Sequence, residues 1–449
     1  MKIIKSSQYW LREDQITDVE DFKERFTYVP KYRDLKPVPT YSIEHDPDER
    51  VTFYGFPRNT SLGSLDYEVE DRTSKGSPVE VDFIGDMWEF QEPVILEFVE
   101  KLKAGHTDLI LQADTGSGKT VMLLKMWSIL KCSALVVVPK SDLMEQWRER
   151  IKQFTGLEDS DIGTVRQNIC EWKDGIKISV GMIHSLCKDK YPWQFKEWPG
   201  LVIFDELHKL GAYTFSQVGG MFPAKYRLGA TATLRRADGL AKVFYSHLGT
   251  EVISPLKGDQ PEPKIIVVKY GKSSGRIPGW AVQKVRRRGI LFSLLSKNSD
   301  RNKWIVELTY QLYTTGRQTL VLGERIQQLH AIRDGLHRLH DVPYEELGLY
   351  IGSTSVKERN RIAEKCGIVL ATTGMLALGT DIPTLRGLVF ATPLADVEQA
   401  IGRICRTCAN TKSPIVIDLV DSTYKETNGW LHGRRRLYKK KEWEVVFRS

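Results

Sequence analysis

Two short stretches hold residue types suited to phosphate chemistry. Residues 113–120 read Ala-Asp-Thr-Gly-Ser-Gly-Lys-Thr, and residues 205–208 read Asp-Glu-Leu-His. The first follows the apolar run Leu109–Leu111 and precedes a helix-like stretch from Val121, the strand–loop–helix setting of a phosphate-binding loop. Gly116 and Gly118 permit a tight turn that points successive backbone N–H groups at a β-phosphate from a helix N-terminus. Asp114, Thr115 and Ser117 complete the loop. Lys119 is placed to reach the β- and γ-phosphates, and the Thr120 hydroxyl to ligate Mg2+. Ala113 stands where such loops open on glycine; it is small enough for the turn.

A glycine-rich turn before a helix is common, so the loop needs a companion. Leu201–Phe204 reads as a buried strand that delivers Asp205 and Glu206 at its C-terminal end, the edge where open α/β sheets bind ligands. Asp205 suits the Mg2+ water shell, and Glu206 suits a base that orients the attacking water. An acidic helix cap is the competing reading of the pair, but it leaves the order and setting of the two motifs unexplained. Together they predict hydrolysis of a nucleoside triphosphate. Farther on, Arg403 and Arg406 stand three apart in the run Gln399–Arg406 and share a helix face. Planar, permanent guanidinium charges suit a γ-phosphate in the transition state. Their place in a second block predicts a site completed only when two domains close.

The elements that must position these residues alternate in α/β style from about residue 80. Strands are expected at 109–112, 134–138, 177–182, 201–204 and 226–229, with a helix over Leu143–Phe154. A second block repeats the pattern at 319–322, 350–351, 368–370, 387–390 and 415–418. Residues 256–300, rich in Pro, Gly, Lys and Arg, read as a connector with a basic insertion, Arg286-Arg287-Arg288. The expected division is therefore an accessory module at 1–80, mostly β, a first domain at 81–255, the connector, a second domain at 301–425 and a basic aromatic tail at 426–449.

Composition fits this plan. The 449 residues are 41% hydrophobic and 27% charged, ordinary for a globular protein of two or three domains. No apolar run reaches the length of a membrane span and no signal-peptide core opens the chain. The six cysteines show no disulfide framework, so a reducing cytoplasm is the expected setting and no membrane partner is expected. The net charge is +8, unevenly spread: −4 over residues 1–80 and +5 over the last twenty. A basic body favours a polyanionic partner. In the tail, Arg434, Arg435 and Arg436 stand among Trp430, Tyr438 and Trp443, a mixture that could stack on bases or pack as an amphipathic segment.

The order of motifs resembles that of superfamily 2 helicases and translocases over roughly residues 85–425. Trp88-Glu89-Phe90-Gln91 looks like the adenine-reading Q motif. Val136–Pro139 followed by Gln146-Trp147 looks like motif Ia, and Gly181–Leu186 is similar to the next strand-contacting motif. Gly229–Thr233 resembles motif III, Gly352 with Arg359 motif IVa, Ala371-Thr372-Thr373 through Gly379-Thr380-Asp381-Ile382-Pro383 motif V, and Gln399–Arg406 motif VI. Leu320–Arg325, at the place of motif IV, is atypical. The stretches Glu70–Thr73, Thr231–Gly239 and Leu295–Asn302, with the basic tail, resemble those of XPB-type and phage UvsW-type DNA helicases.

That resemblance implies two tandem RecA-like domains with ATP and Mg2+ in the cleft, where Gln91, Gly379, Asp381 and Gln399 join the residues above. It implies a backbone track for nucleic acid that includes Pro139, Lys140, His184, Thr231, Thr233, Gly352, Thr372 and Thr373. The implied activity is ATP-dependent branch migration or unwinding of DNA forks and four-way junctions, in contact with single strand and duplex. Phage replication or recombination proteins are implied partners, in a host cytoplasm. Two other readings stay open: a duplex translocase that separates no strands, and an RNA helicase.

Overall fold

A computed structural model describes the chain apart from residues 1, 33, 49, 61–67, 115, 237, 256–260, 273, 278–283, 377–381, 383, 396, 406–411 and 449, and apart from the side chains at 284–286, 356 and 376. It divides into two compact units, Met1–Gly258 and Asp259–Ser449.

In the first unit an eight-stranded sheet runs in the order Ile169–Cys170, Ile162–Arg166, Ile178–Met182, Ala134–Val138, Leu201–Asp205, Tyr226–Thr231, Asp108–Gln112, Val252–Ile253. Apart from the antiparallel edge at Ile169–Cys170 the pairings are parallel. Helices on both faces bury the central strands, so Ala134–Val138 is apolar and buried at every position. The expected helix spans Ser141–Thr155 and ends on Gly156, whose φ of 68° is the left-handed stop that lets the chain turn back.

Residues 1–80 are largely β as expected, with a five-stranded sheet ordered Ser42–Asp46, Val51–Phe56, Tyr9–Arg12, Lys2–Lys5, Glu68–Asp71. Phe22, Phe26, Tyr54 and Phe56 form its core. They do not stand apart from the larger sheet. Arg58 reaches across to Asp108, donating from its terminal nitrogen at 2.6 Å, and Arg227 grips the same carboxylate at 2.8 and 2.9 Å. All three side chains are buried. The arginines also donate to the carbonyls of Ser6, Ser7, Gly219, Ala224 and His247. Despite its burial, Asp108 is held well below the usual carboxylate range by the guanidinium groups of Arg227 and Arg58.

The second unit carries a seven-stranded sheet ordered Leu347–Tyr350, Ile368–Thr372, Gln318–Gly323, Leu385–Phe390, Ile415–Asp421, Lys264–Tyr270, Val445–Arg448, parallel throughout. Four of these strands lie where the sequence places them, and the one expected at 350–351 runs earlier, at Leu347–Tyr350. The other two correct the sequence reading. The connector stretch 256–300 contains an interior strand of the sheet, Lys264–Tyr270, and the tail 426–449 contributes a long helix, Lys425–Lys440, and the edge strand Val445–Arg448. Ile265–Val268 pairs with strands on both sides, so the apolar run outweighs the Pro- and Arg-rich sequence around it.

Candidate nucleotide-hydrolysis site

The strand Asp108–Gln112 ends in the loop 113–118, and the helix Lys119–Leu130 starts directly behind it. Gly116 and Gly118 have φ of 89° and 76°, left-handed values that justify glycine at both places. An added Cβ on Gly118 would also stand 2.3 Å from Gln91 Nε2. The Lys119 ammonium folds back along the loop and donates to the carbonyls of Ala113 at 3.0 Å and Asp114 at 3.1 Å. Ser117 turns inward, its hydroxyl donating to Asp114 O at 2.7 Å. Thr120 opens the helix one residue after Lys119. Thr115 lies outside the described residues.

Buried Gln91 spends its amide locally. Its Oε1 accepts from Trp88 N at 3.0 Å and its Nε2 donates to Ser117 O at 2.8 Å, tying the Q-like segment to the phosphate loop.

Asp205 closes the strand Leu201–Asp205, and Glu206 follows in a left-handed conformation with φ of 54°. That turn re-aims the second carboxylate at the strand's end. Trp147, from the helix Ser141–Thr155, donates its indole N–H to Asp205 Oδ2 at 2.8 Å. Expected within a nucleic-acid-contacting motif, Trp147 is instead fully buried behind the acidic pair. Burial, then the Glu206 charge, push the Asp205 pKa up, opposed by the Trp147 N–H and Lys119. Burial would raise Glu206 too, but His208, Lys119 and Lys209 hold it low. Glu206 Oε2 is buried with no hydrogen-bond partner, although His208 Nδ1 is 3.3 Å away. Two adjacent, partly buried carboxylates, one with an unpartnered oxygen and one penalised for its charge, fit a divalent cation.

His208 extends the pair toward the third motif. Its Nδ1 lies 3.2 Å from Thr231 Oγ1, which also pairs with the backbone of Thr233 at 3.1 Å. Arg236 donates to His208 O and clasps Asp238. Neither Trp147 nor His208 figures among the expected catalytic residues. For His208 there was a signal, its position two residues after Glu206.

In the second unit, Gln399 is exposed and Arg403 is buried on the helix Glu398–Ile404. Gly379, Asp381 and Arg406 lie outside the described residues. The expected nucleic-acid contacts divide. Exposed His184 packs edge-on against Phe215 at 4.7 Å, Gly352 is exposed, Lys140, Thr372 and Thr373 are partly buried, and Thr373 donates to Glu324 at 2.7 Å. Pro139 and Thr231 are buried, and Thr233 is held by Thr231 as above. Arg287 pairs with Glu426, and Arg288 lies over the rings of Phe292 and Trp430 at 5.0 and 5.7 Å. The side chain of Arg286 is not described. Arg434 does not face solvent: it makes a buried two-pronged pair with Asp418 at 2.8 and 2.9 Å. Its neighbours Arg435 and Arg436 are exposed.

Residues 85–236 match the family model described as type III restriction enzyme, res subunit. A protein of Acanthamoeba polyphaga mimivirus named as an ATP-dependent RNA helicase is 27% identical over 433 residues, 93% of this chain and 79% of that protein. The DNA 3'-5' translocase XPB2 of Sulfurisphaera tokodaii is 29% identical over 192 residues, 43% of this chain and 38% of that protein. Among solved structures, an HsdR-subunit fragment of a type I restriction enzyme from Vibrio vulnificus shares the fold at a TM-score of 0.54 and 16% identity, over 78% of this chain and 66% of that one. The phosphate loop, the acidic pair and the tandem parallel sheets, taken with these likenesses, support an ATP-dependent superfamily 2 helicase of the viral and XPB type.

Proposed function

We propose that the chain is a DNA helicase that drives branch migration or unwinding at forks and four-way junctions. Lys119 and the loop 113–118 bind the phosphates, with Gln91, Gly379, Asp381 and Gln399 lining the rest of the nucleotide site. Thr120 and Asp205 hold Mg2+, and Glu206 orients the attacking water. Arg403 and Arg406 meet the γ-phosphate charge. Lys140, His184, Thr233, Gly352, Thr372 and Thr373 mark the backbone track, with buried Pro139 and Thr231 behind it as supports. Exposed Arg288, Arg435 and Arg436, with partly buried Arg287, are candidates for added phosphate contacts.

The observation that carries this reading is the loop after Thr233. It bonds to His208 beside Glu206 through Arg236, and it receives a hydrogen bond from Lys31 N of the accessory module onto Asp238 O at 2.9 Å. A module wired to the loop that couples hydrolysis to nucleic acid is suited to sensing branched substrate, which a simple single-strand motor does not need. The XPB2 relative's name supports DNA; the mimivirus relative's name favours RNA as the second reading. ATP hydrolysis and strand separation measured side by side on single-stranded DNA, duplex, fork, four-way junction and RNA test it. Strong activity on forks and junctions with little on RNA is expected. Preference for RNA, or stimulated hydrolysis without strand separation, overturns it.

A further inference from the structure

The accessory module contains a hairpin whose tip sits beside the coupling loop. Its strands, Thr27–Tyr28 and Val38–Pro39, pair antiparallel. The stem is fixed from two sides. Within the module, Thr40 N donates to Phe26 O at 2.9 Å and Gln8 Nε2 to Thr40 O at 2.8 Å. Toward the motor, fully buried Val38 packs with Leu240 and Val243, just beyond the coupling loop.

The tip is held as well. Besides the Lys31–Asp238 hydrogen bond, the Lys31 side chain lies along Gly239, where an added Cβ would stand 3.1 Å from its Cε. Lys36 Nζ lies 5.8 Å from the centre of the Tyr213 ring. Yet the tip leaves large apolar groups in water: Val29 is 75% exposed, Tyr32 50% and Leu35 42%, with Tyr213 beside them at 48%. Exposed Lys31 and Lys36 flank the tip.

We propose that this tip is the wedge that meets the end of a nucleic-acid duplex, with Tyr32, Leu35 and Val29 covering the exposed face of the terminal base pair. An aromatic and two aliphatic groups offer a sequence-tolerant platform for a base, and the two lysines complement the flanking phosphates. A wedge must resist displacement, and both stem and tip are anchored. The proposal rests on the reading that the chain separates strands.

The test compares the parent enzyme with the double variant Tyr32→Ala/Leu35→Ala and with Tyr32→Phe. Strand separation of a forked duplex and fork-stimulated ATP hydrolysis are measured together. A loss of strand separation of fivefold or more in the double variant, with hydrolysis within twofold and Tyr32→Phe close to the parent, is the expected result. A smaller loss, or hydrolysis falling in proportion, overturns the wedge while leaving the helicase reading intact; the first outcome is also what a tip used for protein docking gives. A parent that hydrolyses ATP on the fork but separates no strands overturns the helicase reading, and the wedge with it.

Discussion

The Lys119 ammonium donates to the carbonyls of Ala113 and Asp114, which holds it within the phosphate loop. Lys119→Ala is expected to lower the ATP hydrolysis rate about a hundredfold or more, while nucleic-acid affinity in a filter-binding or anisotropy assay stays within threefold. Near-parental turnover sinks the site assignment. Trp147→Phe tests the less obvious member. Removing the indole N–H withdraws a donor from a partly buried carboxylate, and kcat is expected to fall about tenfold with a raised Mg2+ requirement; unchanged Mg2+ dependence argues that the tryptophan is only packing. Lys119, Asp205 and Glu206 were legible because their chemistry demands those residue types on those elements. The Trp147 contact was not, because its partner is 58 residues away and the sequence reading placed Gln146-Trp147 in motif Ia instead.

The helix Lys425–Lys440 shows how an element changes the meaning of its residues. Three consecutive arginines read as one basic cluster, but successive helical positions are about 100° apart. Arg434 therefore points at the sheet and Arg435 and Arg436 point away. Inside, Asp418 takes both prongs of Arg434 and the Tyr438 hydroxyl at 2.9 Å. Arg434→Ala is expected to destabilise the second unit by about 3–5 kcal/mol, because a carboxylate is left buried and uncompensated. Arg435→Ala with Arg436→Ala is expected to leave the unfolding midpoint nearly unchanged and to flatten the salt dependence of nucleic-acid binding. Thermal unfolding and salt titrations of affinity separate the two effects; a stable Arg434→Ala protein contradicts the buried role. The strand Lys264–Tyr270 was hidden for a related reason: Ile265–Val268 is a strong apolar run, but only its partners 150 residues downstream make it an interior strand.

The larger divisions of the chain were partly legible. Tandem parallel sheets followed from the repeated strand and helix runs, whereas the union of residues 1–80 with the first sheet did not, since Arg58, Asp108 and Arg227 share no local pattern. That union gives the stability of the first unit a pH dependence. His247 sits in the same buried region, its carbonyl accepting from Arg227 and its two ring nitrogens without partners. Burial, then the Arg227 charge, press its pKa down to about 3. Above the unfolded value of about 6.5 both states are neutral there and nothing is lost. As pH falls below it, the unfolded chain takes up a proton that the folded chain refuses, so stability drops toward the folded value. Between pH 6.5 and 5 the loss amounts to about 2 kcal/mol. Denaturant unfolding of the full chain should show this slope, and His247→Leu should flatten it; an unaltered slope assigns the effect elsewhere.

The buried triad also sets an order of birth. Arg58 leaves the ribosome long before the residues that neutralise and cradle it, and Ala224, whose carbonyl it binds, follows 166 residues later. At a synthesis rate of 5–20 residues per second that wait is on the order of ten to thirty seconds. Throughout it, the amino-terminal sheet has its aromatic core but not its moorings. A nascent chain halted between Asp108 and Arg227 should therefore present a protease-sensitive amino-terminal segment that becomes resistant only once Arg227 and His247 have emerged.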